Sequence, residues 1–335
     1  MTQLPPLAVS LGDPAGVGPE LLCEAWARRE TEGLPPFFAV GGGPLLKAAA
    51  IRRGLDIAVA RVQTPDEAAR RFCEALPVLG DHDGAYTPGA PDRAGAEQAL
   101  ASLSLAVGLA RQNAASGVVT GPVSKARLSE VGFGFPGQTE FVASACGVAA
   151  RDAVMLLAGP SLRTVPLTVH VALADVPALV TEELIVRKGR IVATAMARDF
   201  GIERPRLAFS GLNPHAGEGG RFGDEEERAI QPAIAALRAE GIDATGPYPA
   251  DALFTPRSRE TFDVALCMYH DQALVPLKTL DFDQGVNMTL GLPLVRTSPD
   301  HGTAFAIAGT GVADPGATIA AIRLAGECAA RRASS

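Results

Sequence analysis

The sequence predicts an α/β protein built on mostly parallel sheets and divided into two lobes. Three observations carry this expectation. Short apolar runs recur along the chain, each followed by a Gly/Pro turn and a segment of helical periodicity, the signature of βα units around parallel strands. At 335 residues the chain is long enough for two ordinary cores. Its apolar fraction of 47% includes only 5% aromatics, so small residues supply much of the core, which suits closely packed helix and sheet layers.

The elements follow in order. "LAVSL" (7–11) reads as a buried strand that runs through Gly and Pro into a helix near 18–29. "FFAVG" (37–41) leads to a helix near 44–53. Over 93–113, Ala96, Leu100, Leu103, Val107 and Ala110 recur at helical spacing on one face, which marks a core helix. "GVVTG" (117–121) leads to the helical "PVSKARLSE", and at "GFGFPGQTE" (132–140) the alternation pauses. "RLAFSGL" (206–212) leads to a helix over 224–240, and "DVALCMY" (263–269) to one over 271–279. The chain closes in an alanine- and leucine-rich helix able to pack back on the first lobe. The expected domains are therefore 1–131 plus 303–335, with both termini in one lobe, and 132–302, with a cleft between them.

Several function classes are excluded. A net charge of −7 with no basic stripe argues against nucleic-acid binding. Five scattered cysteines without a CxxC argue against a disulfide framework and a thiolate zinc site. The N-terminus lacks the basic and apolar regions of a leader. No apolar stretch reaches the ~18 residues of a membrane span. A cytoplasmic enzyme is expected.

The motifs narrow the chemistry. "GDPAGVGPE" (12–20) is a strand–turn–helix junction, with Pro19 at a first helical position. It is neither GxGxxG nor a P-loop, and Glu20 in the first turn opposes a phosphate, so a tight turn is the favoured reading. His82 in "GDHDG" reads as solvated. His170, His215 and His270 each lie in or just after an apolar run. Strand C-terminal ends of a parallel sheet share one edge, so three imidazoles there would make a divalent-metal site. Residue pattern alone fits three unrelated polar caps equally well. Lys278, Asn287 and Arg296 are embedded in apolar sequence, which suits an anion such as phosphate or carboxylate. "DHGTAFAIAGTGVADP" (300–315) is a small-residue loop of the kind that lets a ligand approach backbone.

Taken together, "SLGDPAGVGPE", "TGPVSK", "GQTEF", "GLNPHAGEGGRFGDEE", "YHDQALVPLKTL" and "GVNMTLGLPLVRTSPDHGTAF" resemble the 4-hydroxythreonine-4-phosphate dehydrogenase family of pyridoxal phosphate biosynthesis, from about residue 7 to 330. The resemblance implies the two-lobed isocitrate/isopropylmalate dehydrogenase-like fold, which lacks GxGxxG. It implies one divalent metal (zinc, magnesium or cobalt) on His170, His215 and His270, at a homodimer interface with ligands from both subunits. It places a small phosphorylated hydroxy acid on Gln138, Thr139, Lys278, Asn287 and Arg296, and NAD or NADP near His301, Gly302, Thr303 and Gly309. The implied reaction is NAD(P)-dependent oxidative decarboxylation of 4-phosphonooxy-L-threonine to 3-amino-2-oxopropyl phosphate. Lys278, Asp251 and Asp271 are the candidate bases. The rival reading is a dehydrogenase of a four-carbon sugar-acid phosphate, threonate or erythronate 4-phosphate. One departure stands out: Gln138 occupies the place of the histidine in the family's Gly-His-Thr-Glu, where it is expected to donate to the substrate as a neutral group.

Overall fold

The computed structural model describes residues 4–334. The chain divides into two compact units, one reaching Ala150 and resuming at Leu292–Ser334, the other spanning Arg151–Gly291. The divisions thus fall at 150/151 and 291/292, beside the 131/132 and 302/303 expected from sequence.

In the first unit, β1 (Leu7–Ser10), β2 (Phe37–Val40), β3 (Val59–Val62), β4 (Leu76–Leu79) and β5 (Val118–Thr120) precede the second unit in the chain. β6 (Val154–Ala158), β7 (Arg163–Pro166), β8 (Arg206–Ser210), β9 (Asp243–Tyr248), β10 (Val264–Cys267) and β11 (Val286–Leu290) belong to the second unit, and β12 (Arg296–Pro299) returns to the first. The first unit's strands lie in the order β3-β4-β2-β1-β5-β12, every pair parallel. The apolar runs at β1 and β2 are buried on both faces, as parallel strands covered by helices must be. The helices Gly18–Ala27, Gly43–Arg53 and Arg93–Arg111 stand where periodicity placed them. Asp92 caps the last, accepting from the Gly95 amide at 2.7 Å. Ala96, Leu103, Val107 and Ala110 are buried along it.

The chain steps outward from β1, then returns to put β5 on β1's other side. Doubly wound sheets open a ligand crevice at such a reversal. Here backbone fills it: a Cβ on Gly12, at φ +71°, would lie 2.5 Å from the Pro122 carbonyl oxygen, and one on Gly121 would lie 2.6 Å from the Gly12 nitrogen. Gly12 of "GDPAG" therefore serves the close approach of its loop to Gly121 and Pro122, and Gly16 that to Thr303.

The second unit's strands run β11-β6-β7-β10-β8-β9. β11 and β7 are antiparallel to β6; β7, β10, β8 and β9 are parallel. The C-terminal ends of β7, β10 and β8 consequently share one edge. Gln272 stitches that edge together: its Oε1 accepts from Ser210 Oγ and the Met268 amide, both at 2.7 Å, and its Nε2 donates to the Gly211 carbonyl at 2.8 Å. Buried Lys188, on helix Glu182–Phe200, donates to the Leu167 carbonyl at 2.8 Å. Burial pulls its ammonium down to about 8.

Some elements were not foreseen from sequence. β3, β4 and helix Pro65–Arg71 lie where no βα unit was expected. The nineteen-residue helix Glu182–Phe200 was also missed, although Thr181 caps it and Glu182 and Glu183 occupy its first turn. The helix expected over 224–240 opens instead with a π-helical turn, Glu226–Ile230, before Gln231–Ala239. Among the described residues no helix is long and apolar enough to cross a membrane.

Candidate active site

The three histidines follow the ends of adjacent parallel strands: His170 four residues after β7, His270 three after β10, His215 five after β8. The rings of His170 and His270 come together at 5.7 Å between centroids. Both line a pocket of about 290 Å³ with Thr168, Val171, Leu173 and Tyr269. His270 Nδ1 lies 2.7 Å from Asp271 Oδ1. A carboxylate there fixes the tautomer and leaves Nε2 for an electrophile, the usual outer partner of a metal-bound imidazole. His215 is exposed and its ring lies 6.1 Å from that of Phe222. Among the described residues of the single chain no three His, Cys, Asp or Glu side chains gather closely enough to hold a metal. Two facing imidazoles, one braced by a carboxylate, form a donor set that fits a divalent ion once a third ligand joins them.

Backbone strain concentrates in these loops. Among the described residues, six that are not glycine have positive φ: Asn113, His170, His215, Ala216, Glu218 and Ala304. Each costs on the order of 1 kcal/mol. All but Asn113 lie in the segments singled out from sequence as metal or cofactor loops.

The first unit holds a second polar cluster. Arg296 opens β12, is 4% exposed, and donates to Thr120 Oγ1 at 2.8 Å and to Thr139 Oγ1 at 3.5 Å. Burial pulls its guanidinium down to about 10, against the pull of Glu140, so it stays charged at neutral pH. Thr139 and Gln138 occupy the first turn of helix Gln138–Ala145, where amides and dipole favour an anion. Gln138 Nε2 donates to the Gly121 carbonyl at 3.1 Å. Since that carbonyl only accepts, the amide orientation is set: nitrogen toward Gly121, oxygen away. Oε1 is buried with no hydrogen-bond partner among the described residues. A donor was expected from sequence; the group left over is an acceptor.

The remaining residues are placed as follows. Asn287, half-buried in β11, has a buried Oδ1 without a partner among the described residues. Lys278, half-buried on helix His270–Asp281, has its Nζ 5.9 Å from the Phe282 ring. Asp251 is exposed in the first turn of Ala250–Leu253. Thr303 meets the glycine loop, its carbonyl accepting from the Val17 amide at 3.0 Å, and Gly302 precedes it in the chain. His301 Nδ1 lies 2.9 Å from the Gly302 carbonyl, and its buried Nε2 has no partner among the described residues. Gly309 is occupied on both sides: its amide donates to Glu20 Oε2 at 3.1 Å and its carbonyl accepts from Arg52 Nε at 2.8 Å. Its N–H is thus engaged within the protein.

Two buried acids went unremarked as site residues in the sequence. Asp13, in the loop after β1, is 3% exposed and accepts from the Ala15 amide at 3.0 Å. Burial, reinforced by Asp92, holds its carboxyl above the ordinary range, against the Ala15 amide and Arg127. Glu226 lies at the heart of the His215 loop, where Leu212 and Asn213 donate to it. Their signal was weak, because burial of an acid is not written in local sequence.

A model of the family described as pyridoxal phosphate biosynthetic protein PdxA matches residues 34–325. The 4-hydroxythreonine-4-phosphate dehydrogenase of Erythrobacter litoralis is 62% identical over 330 residues, with 98% of both chains covered. That of Zymomonas mobilis is 54% identical, covering 98% of this chain and 96% of its own. The crystal structure of the Klebsiella pneumoniae 4-hydroxythreonine-4-phosphate dehydrogenase superposes with a TM-score of 0.86 at 35% identity, covering 98% of each chain. The chain belongs to the pyridoxal phosphate biosynthetic protein PdxA family.

Proposed function

We propose that the chain catalyses the NAD(P)-dependent oxidative decarboxylation of 4-phosphonooxy-L-threonine to 3-amino-2-oxopropyl phosphate, as a metal-requiring homodimer in the cytoplasm. The observation that carries this reading is membership of the PdxA family, and the left-handed backbone at His170 and His215 marks their loops as the site. Strain persists where surrounding structure enforces it, and it clusters at functional sites.

His170, His215 and His270 would hold the divalent ion, with Asp271 orienting His270. Lewis acidity at the substrate hydroxyl is what a bound divalent ion supplies, and hydride acceptance what a bound nicotinamide supplies. Val171 and Leu173, exposed beside His170, suit a second subunit that covers them and completes the ligand set. Arg296, with Thr139 and Thr120, anchors the phosphate or carboxylate. Asn287 Oδ1 accepts from a substrate hydroxyl. Lys278, Asp251 and Asp271 are the candidates to take the proton of the hydroxyl; Asp271 already engages His270 and Asp251 is exposed. The β-keto acid then loses carbon dioxide, and the carbon left with the electron pair is protonated. His301, Gly302 and Thr303 face the cofactor, whereas Gly309 shapes its own loop.

The experiment compares 4-phosphonooxy-L-threonine with threonate and erythronate 4-phosphates on the purified dimer, following NADH and carbon dioxide. Efficient turnover of the aminated substrate alone is expected. Turnover of the sugar-acid phosphates alone would move the assignment to the sister reaction.

Gln138 gives a finer test. Its free acceptor suits the substrate ammonium, and a hydrogen bond to a charged group is worth about 1.5 kcal/mol or more. Gln138→Leu is expected to raise KM for the aminated substrate about tenfold and to leave KM for a deaminated analogue unchanged. Equal rises for both would remove the ammonium from this position.

A further inference from the structure

His215 rides on six consecutive residues of positive φ: His215 (54°), Ala216 (50°), Gly217 (77°), Glu218 (43°), Gly219 (65°) and Gly220 (81°). Three of them carry side chains that disfavour this region. A left-handed run of that length does not hold itself; something outside it must. Glu226, at the start of the π-helical turn Glu226–Ile230, and the preceding Glu225 hydrogen-bond into Leu212 and Asn213 at its base through their side chains.

Glu226 is 1% exposed. Its Oε1 accepts from the backbone amides of Leu212 and Asn213, each at 2.8 Å, and its Oε2 accepts from Asn213 Nδ2 at 2.9 Å. Those donors form the entry to the left-handed run. The carboxylate also lies against its interior: a Cβ on Gly217 would come 2.7 Å from Oε2, and one on Gly211 would come 3.1 Å from Oε1. The buried carboxylate thus takes three hydrogen bonds from the loop's entrance and packs on its centre. Glu225 alongside accepts from Asn213 Nδ2 at 2.7 Å. The π-helical turn widens the helix where Glu226 leaves it, a feature frequent at functional sites.

We propose that Glu226 is the positioning residue for His215: its carboxylate holds the left-handed turn that presents the imidazole, and so sets metal affinity without touching the metal. The proposal rests on His215 being a metal ligand. An outer partner of this kind commonly changes metal affinity 10–100-fold. Glu226→Gln keeps the shape and alters the hydrogen bonding. An amide oxygen at the Oε1 position still receives the two backbone amides, but the amide nitrogen then faces the Asn213 Nδ2 donor.

The test measures zinc affinity of the metal-free dimer against a competing chelator, the visible spectrum of the cobalt(II)-substituted protein, and the melting temperature of the metal-free form. Glu226→Gln, Gly217→Ala and His215→Ala are compared with the parent. Glu226→Gln is expected to weaken zinc at least tenfold and to change the cobalt spectrum, while the metal-free protein melts near the parent temperature. Gly217→Ala, which presses a methyl group on Oε2 from the loop side, is expected to weaken zinc and change the cobalt spectrum likewise, with a lower melting temperature from its left-handed φ, and serves if the first variant fails to fold. Parent zinc affinity and cobalt spectrum in folded Glu226→Gln or Gly217→Ala would overturn the proposal, provided His215→Ala loses zinc. If His215→Ala itself binds zinc like the parent, the ligand assignment fails instead, and the positioning role with it.

Discussion

Alanine at any one of His170, His215 or His270 is expected to lower kcat/KM by on the order of 10³-fold and to leave the purified dimer depleted of metal. A bound divalent ion contributes several kcal/mol of charge stabilisation to such a reaction, and each histidine follows the end of a strand on the same sheet edge. His170→Ala and His270→Ala should be the most severe, because these rings face each other at 5.7 Å. Asp271→Asn should be milder, about 10–100-fold in metal affinity, since it loosens the tautomer of His270 and keeps the ligand. Metal analysis beside steady-state kinetics, with and without added metal, reads both effects. A histidine variant with parent metal content and turnover would remove that residue from the ligand set.

The fold was legible where burial writes itself into contiguous sequence. β1 and β2 are unbroken apolar runs bounded by Gly and Pro, and the core helix Arg93–Arg111 shows its buried face at helical spacing. β9, "DATGPY", is mostly half-buried, so neither alternation nor an apolar run marks it. Helix Glu182–Phe200 has Lys188 and Gly189 on its buried side, which breaks the apolar stripe; Thr181 and the two glutamates after it were the readable sign. The antiparallel pairing of β6 with β7 and β11 depends on neighbours distant in sequence, and no local pattern encodes it.

The site divides in the same way. Histidines at strand ends stand out because imidazole is rare in this chain and the strands before it are strongly apolar. That Gln138 turns its nitrogen to Gly121 depends on a carbonyl seventeen residues away. That His215 sits in a left-handed run depends on a carboxylate eleven residues later. In both cases hydrogen bonds made only in the folded chain decide the geometry, and residue identity at the position itself does not.

Arg296→Met is expected to raise KM for the phosphorylated substrate on the order of 10²-fold while changing KM for NAD little. Arg296 is 4% exposed, with hydroxyl groups of Thr120 and Thr139 as partners. Both accept from it. Glu140 acts on it electrostatically, yet burial outweighs that pull and lowers the guanidinium to about 10. A buried cation whose surroundings so disfavour charge is costly to the empty protein. An anionic ligand would repay that cost through charge-assisted hydrogen bonds of about 1.5–3 kcal/mol each. Stability should therefore move opposite to affinity. Replacing a buried charge by an apolar side chain of similar length is often neutral or stabilising, so the ligand-free Met variant should melt at or above the parent temperature. Arg296→Lys should recover little of the KM, because an ammonium cannot reproduce the planar fork that grips two oxygens. Melting curves and KM for both substrates, measured on parent, Met and Lys proteins, separate the alternatives. A lower melting temperature with equal rises in both KM values would make Arg296 a residue of the fold and send the phosphate elsewhere.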